Sequence, residues 1–433
     1  MTPALLGALG FAVALLLVLL RVPVAVAMGL VGALGLAVTD GWTTVAFVLG
    51  AAPFEAIFPY SLSVVPLFVA MGVFAARAGL SAALFRGAQV FVGGFRGGLA
   101  LATVGACAAF GAICGSSLAT AATMARVAFP EMRARGYAAS LAAASIAAGG
   151  TLGVMIPPSI LLVIYGLLTE QSIGALFAAA LLPGLLATLL YMIAVRLALA
   201  WRPELAPARE HHDWETRMRV LRDIWPVAVL FLLVIGGIYA GVFSPTEAAA
   251  VGASGAVLLA LLRRALTAAV FADAVAETTR ITGMIFLVLI GASIFNYFVD
   301  ATGLPRSLVG AVAATGWPPP AVMVAVLLAY LLLGCFMDSL SMILLTIPFV
   351  FPLVQALGYD PVWFGIVVVT VAELGLITPP VGMNLFVIQG TIPGLALATI
   401  VRGLPPFLLA DLLRLALLLA FPGLALWLPQ RLF

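Results

Sequence analysis

The sequence predicts an all-α polytopic membrane protein built from two inverted repeats, each with a re-entrant helical hairpin and a broken transmembrane helix. Three observations carry this expectation. Of 433 residues, 64% are hydrophobic and only 9% charged, with a mean hydropathy of +1.25. A water-soluble domain cannot hide that much apolar surface, so the solvent is lipid. One long stretch also occurs twice, as Gly111–Pro158 and Leu333–Pro380. The offset that lays Ser117 on Ser339 also lays Pro130 on Pro352, Gly136-Tyr137 on Gly358-Tyr359, Gly153 on Gly375 and Pro157-Pro158 on Pro379-Pro380. Finally, the arginines sort by side of the membrane, as shown below.

The elements follow in order. Residues 4–20 read as a first span, retained and not cleaved as a signal peptide because no basic region precedes it. Arg21-Val22-Pro23 turns the chain into a second span at 24–38, and 39–59, with Asp40, Trp42 and Glu55, suits an interfacial connection. Residues 60–76 span again and meet a loop carrying Arg77, Arg86 and Arg96. The first hairpin is 98–128, interrupted at Gly115-Ser116-Ser117, and the first broken span is 138–168. Arms of about 15 residues suffice for half the membrane depth with some slant. Residues 172–195 lead to a polar cytoplasmic loop at 201–223, which holds His211 and His212, read as solvated. Spans at 225–242 and 246–262 come next, then a short amphipathic surface helix at 265–280 and a span at 281–298. The second hairpin, 320–352, breaks at Met337-Asp338-Ser339. Residues 361–388 are the second broken span, and 404–427 the last span. The repeats are thus 1–200 and 224–433.

Charge orients this topology. All 20 basic residues are arginine. With the N-terminus outside and the spans alternating, every arginine except Arg306, Arg414 and Arg431 falls on the cytoplasmic side, as the positive-inside rule requires. The first hairpin then opens to the cytoplasm and the second outward, which makes the repeats inverted, as in many secondary transporters. The arginines are scattered and the net charge is only +3, so nothing indicates nucleic acid as a partner. Three cysteines without a CxxC pair give neither a disulfide framework nor a zinc site.

Non-helical backbone survives in hydrocarbon only where protein or a watery cavity satisfies it. Unwound carbonyls bind a small hard cation such as Na⁺, and half-helix N-termini face an anion. Ser116, Ser117, Ser339 and Ser341 add hydroxyls. The proline pairs are expected to start new half-helices, and Thr378 to cap the second. Asp338, the acid nearest a hairpin tip, is expected to face the ion or substrate cavity. Glu373, buried in an apolar span, reads either as a cavity residue or as the partner of an arginine. Asp411 and Arg414 are spaced for an internal ion pair, and Arg126 for snorkelling to the cytoplasmic surface. Taken singly, Gly-Ser-Ser reads as helix packing and Pro-Pro as a kink; their joint recurrence points to a site.

At these motifs the chain resembles the large membrane subunit, DctM type, of the TRAP (tripartite ATP-independent periplasmic) transporters. The resemblance rests on GSSLATAATMARVAFPEMRARGY, AAGGTLGVMIPPSILLVIYGLLTEQSIGALF, GVFSPTEAAAVGA and FGIVVVTVAELGLITPPVGMNLFVI. It implies an elevator-type fold with an outer scaffold and a mobile transport domain, in the bacterial inner membrane. It implies Na⁺-coupled uptake of organic acids, with no cofactor beyond Na⁺. It implies two protein partners, a small four-helix subunit (DctQ type), expected on a separate chain because this one looks like the unfused form, and a periplasmic substrate-binding protein (DctP type). One Na⁺ region would use Ser116 and Ser117 with Gly150, Gly153, Met155 and Pro157. The other would use Asp338 and Ser339 with Gly375, Thr378 and Pro379. Gly115, Thr151, Pro158, Ser341, Glu373 and Pro380 would line the substrate cavity. Cys114 stands where family members often have Ser.

Three rival readings differ in class. A stand-alone Na⁺/anion symporter of the same broad fold would need no binding protein. An intramembrane enzyme would need a nucleophile–base or acid pair on facing helices, and no His lies in any span. A channel builds its rings from oligomer symmetry, which the internal two-fold argues against.

Overall fold

The computed structural model describes residues 2–207 and 214–433, and His211 and His212 lie outside them. Among the described residues the regular structure is helical. In the first half, α1 (Pro3–Leu19), α2 (Val24–Thr39), α3 (Trp42–Ile57), α4 (Val64–Arg77) and α5 (Leu80–Val92) precede α6 (Gly98–Cys114) and α7 (Ser117–Ala134). Then come α8 (Ala139–Met155), α9 (Ile160–Thr169) and the long α10 (Ile173–Trp201). In the second half, α11 (Trp214–Tyr239), α12 (Pro245–Leu262), α13 (Ala268–Ala301) and α14 (Leu304–Thr315) precede α15 (Pro319–Gly334) and α16 (Ser339–Ala356). The half closes with α17 (Pro361–Leu376), α18 (Met383–Thr391), α19 (Leu397–Gly403) and α20 (Pro405–Ala420). Two four-residue helices, Gly423–Leu426 and Pro429–Leu432, follow. Among the described residues, six helices are long and apolar enough to cross a bilayer, and the bent pairs α8–α9 (42°) and α19–α20 (53°) can each act as one further span.

The Ser117–Ser339 offset now maps helix onto helix. It carries α2 onto α12, α7 onto α16, α8 onto α17 and α9 onto α18, within a residue or two at each end. The same local chemistry ends α7 and α16. Gly136 and Gly358 both sit at φ 79, where a side chain would be strained. Tyr137 N then bonds Met132 O, and Tyr359 N bonds Val354 O, so each Gly-Tyr closes a helix with a left-handed cap. Contacts between the halves come as reciprocal pairs, α2 along α13 and α12 along α4.

Several connections differ from the sequence reading. The interfacial 39–59 is itself a helix, α3, and the arginine-bearing loop after α4 contains α5. The polar 201–223 is helical from Trp214 and runs into the next span without a stop. The amphipathic 265–280 is not a separate surface helix; it is the first part of the continuous α13. In the first half, Pro59 interrupts the corresponding run between α3 and α4, and no proline does so in α13. The expected last span begins at a bend between α19 and α20, and α14 escaped the reading.

Burial separates two layers. Nearly every residue of α6, α8 and α17 and most of α16 is buried, whereas α1, α2, α11 and α12 leave Leu5, Leu9, Leu30, Leu34, Leu232 and Leu258 exposed. Lipid tails are as apolar as leucine, so the inner layer is held by close fit and not by apolar burial. Glycines permit that fit. A Cβ on Gly111 would lie 2.4 Å from Gly153 Cα, and one on Gly375 would lie 2.6 Å from Gly334 Cα. The first hairpin arm thus meets its broken helix backbone to backbone, and so does the second.

Candidate ion and substrate site

The two hairpins break where their second helices begin. Gly115, at φ 64, turns the chain between α6 and α7, and Ser116 caps α7 by accepting from Ala119 N at 3.4 Å. In the second hairpin Asp338 holds the equivalent place. It caps α16 by accepting from Ser341 N at 3.0 Å and from the Ser341 hydroxyl at 2.5 Å. The next residue in each, Ser117 and Ser339, points its hydroxyl at Glu373 of α17. Ser117 Oγ donates to Glu373 Oε2, and Ser339 Oγ donates to Glu373 Oε1 at 2.8 Å. Glu373 is 0% exposed. Its hydrogen bonds come from serines and not from an arginine.

These groups border a cavity of about 140 Å³ lined by Gly115, Ser116, Ser117, Asp338, Ser339 and Glu373, with α13 closing one side through Ile281, Met284 and Ile285. Two larger hollows lie along α13. One, of about 810 Å³, is lined by Arg77, Arg126, Arg280, Asp273 and Glu277. The other, of about 400 Å³, is lined by Glu55, Asn296, Tyr297 and Asp300. The three are strung along one seam between α13 and helices α7 and α9.

The other expected site residues surround the breaks. A Cβ on Gly153 would lie 2.6 Å from Thr120 Oγ1 and 2.8 Å from Ser116 O; one on Gly150 would lie 3.3 Å from both Ser117 O and Asn384 Nδ2. The first tip's carbonyls therefore face the glycines of α8. Thr120 Oγ1 and Asn384 Oδ1 are buried there without a hydrogen-bond partner. Uncommitted hard oxygens beside backbone carbonyls fit a Na⁺ ion. Met155 ends α8, its sulfur 3.8 Å from the Thr370 hydroxyl that donates to it. At the second break, Gly382 N bonds Cys335 O at 3.0 Å and ties the strand after Pro379-Pro380 to the hairpin. Both Pro-Pro bonds are cis. Pro157 and Pro158 are buried, whereas Pro379 and Pro380 are exposed.

Some expectations shift. The prolines do not open the half-helices. Ser159 caps α9, accepting from Leu162 N at 3.3 Å, and α18 starts after Gly382. Thr378 does not cap α18; its hydroxyl bonds back to Leu374 O at 2.6 Å on the preceding helix. Thr151 turns away from the cavity and lies 3.0 Å from the Tyr191 hydroxyl. Tyr191 donates to Asp411 Oδ2 at 2.5 Å, and Asp411 Oδ1 pairs with Arg414 at 2.9 Å, both side chains fully buried. Sequence reasoning missed Thr120, Ser159, Tyr191 and Asn384. Each is a polar side chain inside an apolar run, the signal that could have found it.

Comparison with known proteins gives the family and the fold. Residues 11–424 match the family model described as "Tripartite ATP-independent periplasmic transporter, DctM component". The chain is 35% identical over 379 residues to the C4-dicarboxylate TRAP transporter large permease protein DctM of Pseudomonas aeruginosa, covering 87% of this chain and 88% of that one. It is 35% identical over 383 residues to the isethionate TRAP transporter permease protein DctMQ of Oleidesulfovibrio alaskensis, covering 87% of this chain and 59% of that longer protein. In fold it is similar to the YdaH transporter of Alcanivorax borkumensis, with a TM-score of 0.63 at 15% identity over 99% of this chain and 100% of that one. The chain is a multi-pass membrane protein and belongs to the DctM family of tripartite ATP-independent periplasmic transporters.

Proposed function

We propose that this chain is the large membrane subunit of a Na⁺-coupled carrier that imports an organic acid across the bacterial inner membrane. A periplasmic binding protein delivers the substrate, and a small four-helix subunit docks on the outer helices. The observation that carries the reading is the meeting of both hairpin tips on Glu373 beside a cavity at the helix breaks. Breaks at corresponding places in two repeats are where secondary transporters bind substrate and ion. Named relatives carry C4-dicarboxylate and isethionate, both anions.

The residues divide the work. Ser116, Ser117, Gly150, Gly153, Met155 and Pro157, with Thr120 and Asn384, would hold one Na⁺. Asp338, Ser339, Gly375, Thr378 and Pro379 would hold another. Bound Na⁺ supplies positive charge that offsets an anionic substrate. The N-termini of α7 and α16 aim their positive ends at the cavity. Inverted repeats, the periplasmic N-terminus and an elevator-like movement of the inner layer past the outer one complete the proposal. The three hollows along α13 offer the seam for that movement.

Uptake in proteoliposomes tests it. The chain and its small partner are reconstituted, a binding protein loaded with radiolabelled organic acid is added, and an inward Na⁺ gradient is imposed. Accumulation that requires both gradient and binding protein is expected. Accumulation without the binding protein would replace the proposal with a stand-alone symporter.

A further inference from the structure

We propose that Glu373 is a positioning residue that lets the two hairpin tips set each other's Na⁺ affinity; the inference rests on the Na⁺-coupled reading above. Among the described residues, the charged side chains at 0% exposure are Glu373, Asp411 and Arg414. Asp411 and Arg414 neutralise each other at 2.9 Å. Among the described residues Glu373 forms no ion pair, and its hydrogen bonds come from Ser117 and Ser339. These serines are related by the offset between the repeats. Each directly follows the residue, Ser116 or Asp338, that caps its helix and borders the cavity.

One carboxylate therefore serves two tips. An ionised carboxylate only accepts, and with both tips seated each oxygen has a donor. If one tip lifts, an ionised oxygen loses its donor inside the protein. Charge-assisted bonds are roughly twice as strong as neutral ones, and a buried charge left unpaired is costly. Each tip is therefore better seated when the other is seated. A Na⁺ that requires one tip in place favours the position the other Na⁺ requires, and the effect is reciprocal by linkage. A carboxylate with a purely structural role could be satisfied by one tip. Engagement of the equivalent residue of both is what couples them.

The test is a double-mutant cycle read on Na⁺ affinity, with neither substrate nor binding protein. The purified chain in lipid nanodiscs is heated at increasing NaCl, with choline chloride holding ionic strength. The readout is the Na⁺ concentration that gives half-maximal thermal protection. Ser117→Ala and Ser339→Ala should each raise it by about tenfold, within the ordinary range of coupling between sites. The double variant should be little worse than either, because the first substitution already breaks the coupling. In a Glu373→Met background neither serine substitution should shift it much further, because the coupling is already gone. Glu373→Gln, which keeps side-chain length and hydrogen-bonding capacity, serves if the Met variant fails to fold, and should shrink the serine shifts relative to those with Glu373 in place. Shifts that multiply with Glu373 in place would overturn the coupling while leaving Na⁺ binding intact. A wild-type chain with no Na⁺-dependent protection would overturn both the coupling and the Na⁺ reading.

Discussion

The two halves repeat their helices but not their charges. Where the first half has Ser116 at a hairpin tip, the second has Asp338; where the first has Thr151 in its broken helix, the second has Glu373. Both carboxylates of the site thus belong to the second half. Thr151 of the first half instead meets Tyr191, which donates to Asp411 beside Arg414 of the second half, a buried strut linking α8, α10 and α20. The lesson is that the two matching breaks differ in charge: the second carries Asp338 and Glu373 at the cavity, whereas the first is neutral at these positions and its Thr151 leans on a charge pair that faces away. The first break is correspondingly buried at Pro157-Pro158, and the second exposed at Pro379-Pro380.

If the network that Thr151 meets is a strut, removing one of its charges gives the largest loss. Arg414→Met leaves Asp411 buried and unpaired, which costs about 3–5 kcal/mol. Thermal unfolding of the purified chain reads this directly, and Asp411→Asn added to Arg414→Met should recover most of the loss. Failure of the second substitution to recover stability would mean that Arg414 has another task.

A smaller effect is expected where hairpin and broken helix touch. Gly375→Ala places a methyl 2.6 Å from Gly334 Cα, a backbone atom that cannot rotate away. Overpacking of this kind costs about 1–3 kcal/mol, and α15 must move off α17. Uptake should fall more steeply than stability, because Ser339 moves with that hairpin. Equal losses of the two would show that the contact matters only for folding. Tyr191→Phe comes next. It removes the donor to Asp411 Oδ2 and should cost about 1–3 kcal/mol, the range for a buried acceptor left unsatisfied. Its effect on the Na⁺ dependence of uptake should be slight, since the strut turns away from the cavity.

The repeat made much of this legible from sequence. Matched Gly-Tyr and Pro-Pro pairs gave the offset, and local rules at Gly136 and Gly358 are strong enough to act without context. The Asp411–Arg414 pair was legible because helical spacing alone brings them together. What escaped depends on partners distant in sequence. Ser117 and Glu373 lie 256 residues apart, and no periodicity announces that both tips reach one carboxylate. Thr378 was misread because its hydroxyl donates back to Leu374 O on the preceding helix, and α18 starts only after Gly382. The continuity of α13 was hidden because its amphipathic start and apolar end look like two objects, and helix propensity does not distinguish a boundary from a change of surroundings.

The smallest effect on stability is expected at Asp338, where the comparison between halves is sharpest. Asp338→Asn keeps an N-cap of about equal quality, since Asn and Asp rank together at that position. The bond from Ser341 N can survive, so the melting temperature should stay close to wild type and expression normal. What changes is the charge at the second tip, which comes to resemble the neutral Ser116 of the first. If the two tips differ functionally through that charge, uptake at low Na⁺ should drop sharply and recover in part at high Na⁺. The matched experiment is Ser116→Asn, which leaves the first tip neutral and capped and should alter Na⁺ dependence much less. Unchanged uptake and unchanged Na⁺ dependence in Asp338→Asn would mean that its carboxylate serves only as a helix cap, and that Glu373 is the one carboxylate by which the second half differs at the site.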